Sequence, residues 1–146
     1  MTPRQILLVR ESFAAVEPIA DTAATIFYRR LFDLDPDLRA LFPSDLADQR
    51  RNLMQTLTVV VRNLDRLEGI LPAVEALGRR HAGYRVRADD YETVGAALLD
   101  TLEEGLGSAF TPEVRSAWCA AYGILAATMT GASQAAPDAA ADDAAA

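Results

Sequence analysis

Apolar side chains recur at steps of three and four along almost the whole chain, the spacing that gathers them on one face of a helix. Thr2-Pro3-Arg4-Gln5 reads as a capping box with proline in the first helical position, and it opens a helix to about Val16. Ile19, Ile26, Phe27, Leu31 and Phe32 carry a second helix from about Pro18 to Leu34. Asp35-Pro36 stops it and starts a short helix through Leu41-Phe42, because the residue before a proline avoids the α region. Beyond Pro43-Ser44, with Ser44 as its cap, Leu46, Leu53, Leu57, Val60 and Leu64 predict a long helix to about Leu64. Thr56 to Val61 is β-branched and favours a strand by local propensity, but the wider spacing is helical and outweighs it.

A further helix starts near Leu71, where Leu71, Val74 and Leu77 lead to His81 at steps of three, three and four. A connection through Val86 follows, then a helix from about Asp90 to Leu106 with Gly107 as its stop. Thr111-Pro112-Glu113 opens the last helix, to about Met129. From Gly131 the final 16 residues hold nine alanines, three aspartates and no large apolar side chain, so a tail over 131–146 is expected to be disordered. Six or seven helices with short connections predict an all-α single domain over residues 1–130.

Charge narrows the functions available. Fourteen arginines, with no lysine, stand against 21 acids, for a net charge of −7. An acidic domain gains nothing from counter-ion release on nucleic acid, and anionic lipid repels it, so neither is expected as a partner. One cysteine, Cys119, excludes an internal disulfide and a CxxC metal site, and its alanine neighbours make it an expected core residue. No run approaches 18 apolar residues and the N-terminus carries no leader-like stretch, so the expected location is the cytoplasm.

Three polar residues stand where the pattern calls for apolar ones. His81 is the only histidine and falls on the apolar side of its helix. It is either a satisfied core residue or the single protein ligand to a metal whose other ligands come from a cofactor. Gln49 lies between Leu46 and Leu53 on a buried stripe, and Tyr28 lies one turn before Leu31 and Phe32. Burying an amide or a phenol without a partner costs about 1–3 kcal/mol, so each finds a hydrogen bond in the core or faces a pocket with a polar ligand.

Taken with Leu77-Gly78-Arg79-Arg80-His81, Thr93-Val94-Gly95, Leu106-Gly107-Ser108-Ala109-Phe110-Thr111-Pro112, Ala117-Trp118 and Tyr122-Gly123, these residues make the chain resemble a globin over roughly residues 3–130. Those motifs look like neuroglobins. The pocket residues look instead like single-domain bacterial haemoglobins of the Hell's Gate kind and like the globin part of flavohaemoglobins. Separations match as well as identities, with His81 32 residues after Gln49 and 39 after Phe42. The resemblance implies a globin fold of six to seven helices around haem b (iron protoporphyrin IX). His81 matches the proximal iron ligand, its other ring nitrogen donating to a carbonyl such as that of Leu77. Phe42 matches the phenylalanine that stacks on the porphyrin, and Gln49, Tyr28 and Leu53 match distal positions. Leu77, Val86, Tyr91 and Val94 match proximal and porphyrin-edge contacts. Arg51 and Arg85 are candidates for the propionates, since arginine suits carboxylates.

The implied function is reversible binding of dioxygen, with Tyr28 and Gln49 as donors to it, and of nitric oxide, carbon monoxide or sulfide, in oxygen transport or nitric oxide detoxification. As a nitric oxide dioxygenase it would need a separate reductase, there being no room here for a flavin or nicotinamide domain. Two departures from the relatives matter. Without a second histidine, the two-imidazole ligation of neuroglobins is impossible. Flavohaemoglobins also place a tyrosine and a glutamate behind the proximal histidine; Tyr91 matches the first, but no acid occurs from Gly131 to Gln134. The alternatives are a sensor or interaction module on the globin fold, with or without haem, and an unrelated helical bundle with His81 in its core.

Overall fold

At the N-terminus the Gln5 N–H donates to Thr2 Oγ1 at 3.1 Å and the Thr2 N–H donates to Gln5 Oε1 at 2.9 Å. This capping box starts α1 (Pro3–Val16). The computed structural model describes residues 1–42, 45–83 and 88–135, and their side chains except those of residues 81–83, 88 and 132–135. The helices that follow are α2 (Ala20–Leu34), α3 (Ala47–Arg62), α4 (Leu71–Gly83), α5 (Ala88–Leu106) and α6 (Pro112–Ala135). Single 3₁₀ segments occupy Glu17–Ile19, Pro36–Leu41, Leu67–Gly69 and Gly107–Ala109, and no strand occurs among the described residues. The expected all-α architecture is the observed one.

Where expectation and structure differ, the reasons are local. The second expected helix divides into a 3₁₀ turn at Pro18 and then α2. α3 starts at Ala47, whose N–H donates to Asp45 Oδ1 at 2.9 Å, later than the expected cap Ser44, which lies outside the described residues. It ends at Arg62, although Leu64 just beyond is still buried. The β-branched run is helical because Val60 and Val61 are buried against the core and Thr58 donates to the Met54 carbonyl at 2.8 Å. Burial of the stripe decides against local propensity. Gly107 stops α5 at φ +57°, a conformation other residues adopt only under strain. α6 continues to Ala135, five residues into the stretch expected to be structureless. Cys119 is exposed, not a core residue: Ala117, Trp118 and Ala121 hold the buried stripe of α6, and Cys119 falls off it.

The main core draws Val9 and Phe13 from α1, Phe27 and Leu31 from α2, Val60 from α3, Leu98 from α5 and Trp118 from α6. Trp118 Nε1 donates to Ser12 Oγ at 2.8 Å, and that hydroxyl donates in turn to the Leu8 carbonyl at 2.7 Å. Both buried polar groups are thereby satisfied. α4 stands apart. It packs chiefly on α6, and with Val74, Tyr91 and Met129 it forms a second, smaller cluster. α3 packs on α2 and α1, and among the described residues it makes no extensive contact with α4.

Candidate functional site

α2 and the 3₁₀ segment after it bring Tyr28 and Phe42 together. Their rings meet edge to face with centroids 5.6 Å apart, and Phe32 packs on Phe42 at 5.5 Å. Arg39 fixes the end of this segment, its Nη1 donating to the Phe42 carbonyl at 3.3 Å while its guanidinium lies 5.4 Å from the Phe32 ring centre. The first turn of α3 then places Gln49 beside Tyr28, whose hydroxyl donates to the Gln49 main-chain carbonyl at 3.3 Å. The Gln49 side chain is half-buried and its amide makes no hydrogen bond to another described residue.

Tyr28 is only 7% exposed. Burial pushes its hydroxyl up to about 12, against the opposing pull of the nearby Arg50 cation. It is therefore a neutral O–H donor throughout the physiological range. Arg50 is half-buried. Only the backbone fold, with the start of α3 turned toward α2, could reveal that proximity.

Leu53, one turn beyond Gln49, is half-buried and lines an apolar cavity of about 20 Å³ with Phe27, Met54 and Leu57, room for one water-sized molecule. Leu77 is half-buried in α4, and Val94 is half-buried in α5 against the main core. Tyr91 is buried beside Val74 and Met129. Arg51 is exposed and pairs with Asp48 at 3.3 Å, one turn back on α3. His81 stands in α4, four residues after Leu77 and seven after Val74; its side chain lies outside the described residues. Val86 and Arg85 lie outside them entirely.

Two glycines without an apparent role in the sequence hold α4 and α5 against α6. A Cβ on Gly78 would lie 2.4 Å from the Met129 carbonyl oxygen, and one on Gly95 2.8 Å from Cε2 of Tyr122. The Tyr122 hydroxyl donates to the Tyr91 carbonyl at 2.7 Å. The sequence signal for these contacts is faint: a glycine inside a helix costs about 1 kcal/mol against alanine, which hints at a close approach without naming the partner.

A family-wide sequence model of globins matches residues 25–129, most of the chain. The chain belongs to the globin family. This globin is 29% identical over 129 residues to a flavohemoprotein of Vibrio cholerae, covering 86% of this chain and 33% of that protein. It thus spans about a third of its curated relative's length. A bacterial globin from Campylobacter jejuni superposes with a TM-score of 0.84 at 21% identity, over 94% of this chain and 99% of that one, a likeness of fold. An engineered carbene transferase, made from a Rhodothermus marinus protein named as a nitric oxide dioxygenase, superposes at 0.83 with 28% identity, over 94% and 96%.

Membership of this family implies haem binding, and the residues present fit such a group. The core is split into two clusters. Half-buried Phe42 and Leu53 border one and half-buried Leu77 the other, so both clusters present apolar side chains of the kind a flat apolar group needs. Among the described residues no cluster of three or more His, Cys, Asp or Glu could hold a bare ion; His81 is the one imidazole in the sequence. No helix among the described residues is long and apolar enough to cross a membrane.

Proposed function

We propose that this globin binds haem through His81 and uses it to hold dioxygen reversibly, with nitric oxide as a second substrate. The observation that carries this reading is the Tyr28–Gln49 pair. A buried phenol that keeps its proton bonds the Gln49 main chain, the Gln49 side-chain amide has no hydrogen-bond partner among the described residues, and the Phe42 ring meets Tyr28 edge to face. Haem held by His81 supplies the iron that takes small ligands and the one electron by which dioxygen and nitric oxide become nitrate. The chain's own part is binding and orientation. Phe42, Leu53, Leu77, Val86, Tyr91 and Val94 are assigned to the porphyrin surface, and Arg51 and Arg85 to its propionates. Arg51 would exchange its exposed pairing with Asp48 for that contact, a small loss, since such surface pairs contribute about 0–1 kcal/mol.

Tyr28 and Gln49 would offer O–H and N–H donors to a small polar ligand held in the site. Two such bonds at about 1–2 kcal/mol each slow ligand escape by roughly 30- to 1000-fold. Nitric oxide dioxygenation draws support from the relatives named as a flavohemoprotein and a nitric oxide dioxygenase. Repeated turnover calls for a reductase as partner. The test has two stages. Protein as purified is reduced and its absorption recorded with and without carbon monoxide; a haem spectrum that shifts on carbon monoxide is expected, and a colourless chain that takes up no haem contradicts the reading. Rapid mixing of the oxygenated protein with nitric oxide is then expected to give one nitrate per haem, whereas dissociation of dioxygen without nitrate would leave a carrier.

A further inference from the structure

Tyr122 lies on α6, away from Tyr28 and Gln49, yet it makes one of the shortest side-chain bonds among the described residues, 2.7 Å from its hydroxyl to the Tyr91 main-chain carbonyl. That carbonyl belongs to the first turn of α5. Gly95 is what lets the tyrosine in. A Cβ there would stand 2.8 Å from Cε2 and 3.1 Å from Cδ2 of the Tyr122 ring, closer than side-chain carbons approach. The glycine thus keeps α5 weaker than alanine would, and the contact with the ring is what the weakness permits.

Tyr91, the residue so held, is 8% exposed and belongs to the small core cluster with Val74 of α4 and Met129 of α6. Leu77 packs on that cluster one helical turn before His81. Among the described residues α4 packs chiefly on α6, and Gly78 brings the two backbones into contact at Met129. Held by α6 at Gly78 and bounded by Tyr91, α4 has its position set from two sides.

Resting on the haem reading above, we infer that Tyr122 is a positioning residue for the iron ligand: it anchors Tyr91, and through the Val74–Tyr91–Met129 cluster it sets where α4 holds His81. The part is mechanical, and no proton or electron moves through it. A hydroxyl bonded to a main-chain oxygen fixes a backbone position, which swapping the Tyr91 side chain alone would not release.

The test compares Tyr122→Phe, which removes one oxygen, with Gly95→Ala, which pushes the ring away, and with Ser12→Ala as control. Ser12 accepts from the same helix through Trp118, but between α1 and α6, away from α4. Resonance Raman of the reduced, haem-loaded proteins reads the iron–imidazole stretch, and transfer to a scavenger apoprotein reads haem loss. Tyr122→Phe and Gly95→Ala are expected to shift and broaden the stretch and to speed haem loss about three- to tenfold, the effect of one neutral hydrogen bond. Ser12→Ala is expected to lower the melting temperature with the stretch unmoved. If Tyr122→Phe melts earlier but keeps the wild-type stretch and haem-loss rate, the residue is structural only and the inference fails. Absence of an iron–imidazole band from the wild-type protein would instead remove the haem reading and this inference together.

Discussion

The Tyr28 hydroxyl donates to the Gln49 main-chain carbonyl across 3.3 Å, a long bond for an O–H donor. On the proposed function, so weak an internal partner would let the proton be redirected toward a bound ligand. Tyr28→Phe keeps the ring and its edge contacts at 5.0 Å with Phe27 and 5.6 Å with Phe42 while removing the donor. Dioxygen dissociation, followed by carbon monoxide replacement in a stopped-flow instrument, is expected to quicken by about 5- to 30-fold. An unchanged rate would show that the phenol does not reach the ligand.

The same phenol sets a pH dependence. Burial raises Tyr28 from 10.0 to about 12, so its contribution to stability is complete below pH 10, where folded and unfolded chains are both protonated. As pH rises from 10 toward 12 the unfolded chain loses this proton first, and about 2–3 kcal/mol drains away. Burial shifts Tyr122 upward as well, and that slope is common to wild type and variant. Denaturant melts between pH 8 and 12 are expected to show a steeper alkaline decline for wild type than for Tyr28→Phe. Parallel curves would mean that Tyr28 is less enclosed than described.

Gly78 offers a test of packing in which two effects oppose. Alanine would raise the helix propensity of α4 by about 1 kcal/mol. Its Cβ, however, would stand 2.4 Å from the Met129 carbonyl oxygen and 2.6 Å from its Cα, backbone atoms that yield only if the helices separate. Overpacking of this kind costs about 1–3 kcal/mol, and with backbone on the far side the upper end applies. Gly78→Ala is expected to lower the melting temperature by several degrees and to loosen haem; an unchanged or raised melting temperature would refute the close approach.

Much of this molecule was legible in residue order. The capping box at Thr2, the break at Asp35-Pro36, the stop at Gly107 and the helical spacing through Thr56–Val61 all act within a turn or two of chain, where propensity and periodicity operate. The resemblance that singled out Tyr28, Gln49 and Phe42 named residues that the fold does bring into one cluster. Contacts between distant elements were not legible. Nothing local shows that Gly95 yields space to Tyr122, that Arg50 approaches Tyr28, or that Cys119 misses the buried stripe of α6 by one position. Such facts depend on how helices cross, which a single chain's pattern does not encode.

The ligand itself is tested by His81→Ala with free imidazole as rescue, read from haem retention and the absorption of the reduced, carbon monoxide-treated protein. The variant is expected to lose or barely hold haem and added imidazole to restore the wild-type spectrum, because the missing contribution is one ring nitrogen. A His81→Ala protein that keeps its haem and its spectrum without imidazole would contradict His81 as the ligand.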